Sequence, residues 1–304
     1  MFYIALENRS IIKLTGDDVI DFLQGLISND ARFLLSGNAI YAAMLSPQGK
    51  FLHDFFIIKS DNIFFIDVAQ NRKDDLLARL KLYRLRSKVE IEDATDLTVV
   101  ALFGKDNSSV TPLETIITYP DPRTEKMGFR AILTSPSLLA REGWGDGYNR
   151  IYQNQIPPLP NPPPQGGREY NEHLYEKLRL YLTIPDTSDM LIDKSLLLEC
   201  GFEQLHGVNF SKGCYVGQEV TARSKFRGQV RKSFYQISAD VNIKLPPIGT
   251  PIKAGEIIIG ELRTSYENIG IGIINIDYLT TAQNASGTFL CDGINIKISP
   301  PSWL

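Results

Sequence analysis

The densest chemistry in this sequence lies in the run Lys212-Gly213-Cys214-Tyr215-Val216-Gly217-Gln218-Glu219, where an ammonium, a thiol, a phenol, an amide and a carboxylate stand almost side by side. Glycines bracket the thiol and the phenol. Glycine admits positive φ and close approach of another backbone, so Gly213 and Gly217 place Cys214 on a bend instead of inside a regular element. A bend exposes its side chains, and a neighbouring lysine favours the thiolate. Cys214 thus has several open roles: nucleophile, redox-responsive thiol, transient metal-cluster ligand, or the plainer one of a small apolar filler.

The charge around this run is unusual. Residues 211–232 contain Lys212, Arg223, Lys225, Arg227, Arg231 and Lys232 against Glu219 alone, six minus one or +5, in a chain whose formal net charge is -3. Such a segment suits an extended anion, either the glutamate tail of a folate or the phosphates of an RNA, with a solvated basic face as the alternative. The whole-chain charge gives no general attraction to nucleic acid or to an anionic membrane.

Other sites are excluded by residue type. Cys200, Cys214 and Cys291 are odd in number and widely spaced, no CxxC occurs, and His53, His173 and His206 do not cluster with them. A disulfide framework and a permanent metal site are therefore not expected. No apolar stretch reaches the ~18 to 20 residues of a membrane span, and residues 1–9 lack the basic and apolar regions of a leader, so the expectation is a soluble cytoplasmic chain.

The elements that must position these residues fit an α+β protein. A length of 304 residues exceeds what one core usually organises, and 43% hydrophobic with 22% charged residues excludes global disorder. A first helix is expected from about residue 15 to the Asn29-Asp30 pair, with Val19, Phe22, Leu23, Leu26 and Ile27 as its apolar stripe. Strands are expected at 40–45, 51–58 and 63–68, with Ser46-Pro47-Gln48-Gly49 as the first turn. A second helix from about residue 71 turns Leu76, Leu77, Leu80 and Tyr83 inward and ends in Arg79, Lys81, Arg84, Arg86 and Lys88.

Strands follow at 89–92, 97–103 and 129–133, a helix at 172–182 stopping before Pro185, and a further element beginning near 196–202. Between 137 and 170 the composition shifts, and six of the 17 prolines fall within residues 157–167, which reads as a surface excursion. After Arg231 short β segments punctuated by glycine and Pro246-Pro247 suggest a small C-terminal β-barrel or sandwich. The expected organisation is an α+β region over 1–230, with an insertion near 138–170, and a β-barrel over 231–304.

KGCYVGQEV, followed by Ala222-Arg223 and Arg227-Gly228, resembles the signature of the folate-binding iron–sulfur cluster assembly and repair proteins, the YgfZ family, relatives of the glycine-cleavage T protein. The likeness extends through FLQGLISNDA at 22–31, LSPQGKFLHDF at 45–55, YRLRSKVEI at 83–91 and LHGVNFSKGCYVGQE at 205–219. The resemblance implies a T-protein-like cloverleaf of two intertwined α+β units and a C-terminal β-barrel about an opening that admits tetrahydrofolate. It further implies support of enzymes with [4Fe-4S] clusters, including those that modify transfer RNA. Partners would then be client enzymes and assembly factors, with no direct nucleic-acid or membrane contact.

Carried onto matching positions, Cys214 becomes the functional thiol, Lys212, Tyr215, Gln218 and Glu219 shape its loop, and Arg223 and Arg227 lie nearby. A pterin needs aromatic walls, an amide or carboxylate for its edge and cations for its tail, and these residues supply those types. Two positions depart from the T protein. An adjacent aspartate pair is replaced by His53-Asp54, leaving Asp54 as the candidate folate-facing carboxylate, and the RxExG segment reads Arg179-Leu180-Tyr181-Leu182-Thr183. These departures favour a tetrahydrofolate-binding accessory protein over the alternative, a folate-dependent aminomethyltransferase. A third reading uses the 211–232 cations with Tyr215 and Phe226 to bind RNA. Cys200 and Cys291 are expected to be structural.

Overall fold

The computed structural model describes residues 2–103, 115–134, 169–284 and 288–304. The proline-rich run at 157–167 lies outside them. The described residues fall into two compact units, one drawn from Met1–Gly25, Asn29–Ala42 and Phe55–Tyr175, the other from Leu26–Ser28, Ala43–Asp54 and Glu176–Leu304.

The first unit is built on antiparallel sheet. Strands β1 (Phe2–Ala5), β7 (Leu97–Phe103), β9 (Phe129–Thr134) and β8 (Thr115–Pro120) form one sheet in the order β1-β7-β9-β8. Val100 and Leu102 of β7 pack with Ala131 and Leu133 of β9, the alternate positions that a pleated strand turns to one face. A second sheet runs β3 (Ala39–Leu45), β4 (Phe51–Ser60), β5 (Ile63–Ala69), β2 (Arg9–Thr15) and β6 (Glu90–Asp93) in the order β3-β4-β5-β2-β6.

Two helices in this unit differ from expectation to different degrees. Helix α2 (Lys73–Arg84) buries Leu76 and Leu80, as its periodicity predicts. Helix α1 spans only Val19–Gln24, because Gly25 caps it and Ile27 is drawn out of the helical register into a β-bridge with Met44. The apolar stripe is correct, yet its last turn is not helix.

This unit carries a buried ionic network. Arg9 Nε donates to Asp67 at 2.6 Å, Arg130 Nη2 lies 2.9 Å from the other oxygen of Asp67, and Arg123 grips Asp121 through two bonds of 3.0 and 2.7 Å. The three guanidinium groups sit 5.6, 4.8 and 4.3 Å from the Phe56 ring centroid, Arg9, Arg123 and Arg130 respectively, where the negative face of the ring favours cations. Burial alone would raise the Asp121 carboxyl, but Arg123, with help from Arg130, outweighs it and holds the group below its ordinary value.

The second unit contains a closed barrel of β10 (Lys232–Ser238), β13 (Ile269–Asn275), β12 (Ile257–Tyr266), β11 (Pro251–Ala254), β14 (Phe289–Cys291) and β15 (Ile294–Ser299), in that order around the ring. Its interior is filled by side chains such as Ile237, Ile252, Leu262, Ile274 and Cys291, as expected of a barrel this small. The sequence expectation of a C-terminal β-barrel is borne out. Closure leaves no unpaired edge. Helix α5 (Ile276–Asn284) was not expected within this β-rich stretch; its Leu279 joins the barrel core.

Helix α3 (Glu169–Leu182) begins three residues earlier than predicted and stops ahead of Pro185 as expected. The chain then turns through Thr183 at φ +58°, and the Trp303 indole donates to the Thr183 carbonyl at 3.0 Å. Residues 196–202, expected to begin an element, form turns instead. Cys200 and Cys291 are buried, Cys200 with its thiol pushed well up by burial and Cys291 up to about 11 for the same first cause.

Candidate functional site

Helix α4 (Gln218–Phe226) begins within the signature, a helix that its glycines and charges concealed in the sequence. Gly217 is its N-cap at φ +81°, and a Cβ there would stand 2.4 Å from the Ser46 carbonyl oxygen and 2.8 Å from Leu45 Cβ. The opposing residue is equally confined: Gly49, at φ +71°, would place a Cβ 2.6 Å from Val220 Cβ and 2.8 Å from the Gly217 carbonyl oxygen. The Cys214 loop therefore rests backbone to backbone on the 46–49 turn, and both glycines serve close approach as well as positive φ. Gly213 is different, because a Cβ there meets nothing within 4 Å.

That turn is itself closed by Ser46, whose amide donates to the Lys50 carbonyl at 2.8 Å and whose hydroxyl accepts from Lys50 N at 3.2 Å. A second anchor comes from Ser28. Its hydroxyl donates to the Gly207 carbonyl at 2.6 Å and accepts from Ala43 N at 2.8 Å, while Asn209 N donates to its carbonyl at 3.0 Å. Three of the five sequence blocks, around residues 28, 46 and 212, are thus brought together by hydrogen bonds of Ser28 and Lys212 and by the close approach of Gly217 to the 46–49 turn. Nothing in the sequence marks Ser28 for this task, since one hydroxyl among many carries no spacing signal.

Within the loop, Cys214 is exposed and lies outside any regular element. Lys212 is buried: its ammonium donates to the Ile27 carbonyl at 2.6 Å and sits 4.8 Å from the Tyr215 ring centroid. It organises the loop from beneath. Tyr215 is pushed up to about 12 by burial, against a smaller opposing effect of the Thr221 hydrogen bond, so it is a neutral phenol at physiological pH. Gln218 turns back to accept from Tyr215 N at 3.3 Å.

Part of the surrounding charge is paired. Glu219 and Arg223 form an exposed pair at 3.0 Å one helical turn apart, and Lys225 pairs with Glu203. The +5 segment is consequently less open than its sequence suggests. Arg227, Arg231 and Lys232 are exposed, and Phe226 presents its ring to solvent while meeting Phe210 edge-on at 5.9 Å.

Asp54 and His53 are fully enclosed. Asp54 accepts from the Thr187 hydroxyl at 2.5 Å, and Thr187 belongs to a short capping turn closed by Asp186 and Asp189. Asp189 is held at 2.5 Å by Arg179, whose other nitrogens engage Glu176 and whose Nη1 also donates to the Ile184 carbonyl at 2.9 Å. Arg179 is thus answered by two carboxylates, Glu176 one turn earlier and Asp189 beyond the helix. Among the described residues no group of His, Cys, Asp and Glu is arranged to hold a metal ion.

Comparison with known proteins places these features in context. Residues 6–133 match the GCVT N-terminal domain and residues 219–304 match the CAF17 C-terminal beta-barrel domain. The iron-sulfur cluster assembly factor IBA57 homolog, mitochondrial, of Mycosarcoma maydis is 31% identical over 77% of this chain, which spans 56% of that protein. The protein of the same name from Dictyostelium discoideum is 28% identical over 78% of this chain and 62% of its own length. The human iron-sulfur cluster assembly factor IBA57, mitochondrial, is 27% identical over 88% and 76%. The chain thus spans little more than half the length of several curated relatives it matches. In fold it is similar to the glycine cleavage system aminomethyltransferase T of Bartonella henselae, with a TM-score of 0.74 over 99% of this chain and 86% of that one at 13% identity.

These findings correct one expectation and refine another. The cytoplasmic placement does not stand, because the relatives are named as mitochondrial proteins. The family likeness is to factors named IBA57 and not specifically to YgfZ. The T-protein-like fold with a C-terminal β-barrel is as expected, and the chain combines a GCVT N-terminal domain with a CAF17 C-terminal β-barrel domain.

Proposed function

We propose that this chain acts in the assembly or repair of iron–sulfur cluster enzymes, tRNA-modifying ones among them, by binding a reduced folate and presenting the Cys214 thiol to a client or assembly factor. The observation that carries the reading is the exposed thiol on a loop held rigidly by Gly217, Gly49, Ser28 and Lys212. The construction fixes backbone on both sides of Cys214 and leaves its sulfur open, which suits a ligand offered to a partner's cluster. A cluster iron takes thiolate ligands, and one protein thiolate completes a set shared with other chains. The names of the relatives support the same role.

Tetrahydrofolate belongs to the proposal on chemical grounds. Tyr215 supplies an aromatic face with a neutral hydroxyl, Gln218 and Glu219 supply edge partners, and Arg223 and Arg227 supply cations for a glutamate tail. Asp54 enters such a site only by sharing its carboxylate with Thr187. The test is calorimetry with a reduced folate alongside the activity of [4Fe-4S] enzymes in cells that lack the protein and are complemented with it or with Cys214→Ser. We expect folate to bind the wild type and the variant alike, and Cys214→Ser to fold normally yet restore less than about a tenth of the activity. Full complementation by Cys214→Ser removes the thiol from the function, and absence of folate binding removes the ligand.

A further inference from the structure

One basic segment remains unexplained by the Cys214 site. Helix α2 pairs its early cations: Arg72 and Arg79 with Asp75 at 3.0 Å each, and Lys73 with Asp93. Its end is treated otherwise. Lys81, Arg84, Arg86 and Lys88 are exposed, and none forms an ion pair among the described residues. Between them stand Leu82 and Leu85, 72% and 85% exposed. Single exposed leucines are ordinary; two within a run of four unpaired cations make this segment both basic and apolar.

The backbone shows that this display is imposed. Leu85 has φ +46° and ψ -108°, a conformation suited to glycine and strained for a branched side chain. Nothing buried rewards that strain. The conformation is fixed from outside by Asp18, whose carboxylate accepts from Lys88 N at 2.7 Å, by Ser87 N donating to the Arg84 carbonyl at 2.8 Å, and by Gly16, where a Cβ would fall 2.0 Å from the Lys88 carbonyl oxygen. Leu85, Arg86 and Ser87 with Asp18 border a shallow, largely open depression.

We infer that residues 81–88 form a docking surface for an acidic protein segment that carries leucine-like side chains among its carboxylates. Four free cations call for anions, and two exposed leucines call for apolar counterparts. RNA offers no aliphatic complement to the leucines. A peptide with both acids and aliphatic side chains meets both features.

The test is selection of short random peptides displayed on phage against the immobilised protein, Leu82→Ser/Leu85→Ser and Arg84→Glu/Arg86→Glu, with circular dichroism to confirm that each folds. The wild type is expected to enrich peptides in which Asp or Glu alternates with Leu, Ile or Val, and the best of these to bind each double variant at least about tenfold more weakly. Leu85→Gly separates function from folding, since it relieves the φ strain: it should raise the melting temperature while weakening the selected peptide about tenfold. The inference is overturned by peptides lacking acids, by equal binding to all variants, or by a Leu85→Gly protein that binds normally. It is also overturned if only phosphatidylglycerol vesicles or an oligouridine bind and lose binding in the same variants.

Discussion

Two groups of cations in this protein, similar in size, do opposite things. In the first unit Arg9, Arg123 and Arg130 are buried, stacked about Phe56 and answered by Asp67 and Asp121. In the second, Arg223, Arg227, Arg231 and Lys232 are exposed around the Cys214 loop, and the pair that forms between Arg223 and Glu219 is solvated. The buried set is scattered along 121 residues of sequence from Arg9 to Arg130, while the exposed set is nearly contiguous. Contiguity of charge marks surface; convergence of distant charge marks a core whose members cannot be changed singly.

The sharpest way to break that contrast is Asp67→Ala, which leaves Arg9 and Arg130 buried without their shared carboxylate. We expect a loss of about 3–5 kcal/mol, read as a fall in the urea midpoint. An equal loss on removing Glu219 would erase the distinction. Acid probes the same network. The Asp121 carboxyl is lower in the folded protein than in the unfolded chain, so its contribution is present above the ordinary carboxylate range and disappears as pH falls through the folded value. Asp121→Asn should flatten the acid limb of a stability–pH curve measured by denaturant unfolding.

On the exposed side, the effect resides in backbone. Gly217→Ala forces a Cβ onto the Ser46 carbonyl at positive φ and should cost about 2–3 kcal/mol in thermal or denaturant melts. Gly213→Ala, in open space, should change stability by less than about 0.5 kcal/mol. Equal effects from the two would mean that the loop does not rest on the 46–49 turn.

The sequence conveyed what depends on local pattern. The 46–49 turn, the run of strands around it, the inward face of α2 and the β-rich C-terminal region follow from alternation, turn residues and helical spacing. Local pattern fails where tertiary bonding takes over. Ile27 continues a helical stripe yet bridges to Met44, and α4 carries too little amphipathic signal to announce itself among glycines and charges. At the candidate site, the exposure of Cys214 was legible from its flanking residues. The burial of Lys212 was not, because the acceptor that captures its ammonium is the carbonyl of Ile27, 185 residues away. Nor could Thr187 be paired with Asp54 across 133 residues from spacing alone.

Trp303, pinned by its indole nitrogen to the Thr183 carbonyl and lying so close over Gly201 that a Cβ there would fall 2.5 Å from the ring, gives the chain an intrinsic optical reporter. Only one other tryptophan, Trp144, is present. With Trp144→Phe, the emission maximum and anisotropy would come from a single ring that reads the end of α3. Loosening of that helix end by heat or denaturant would appear as a red shift, without any label attached.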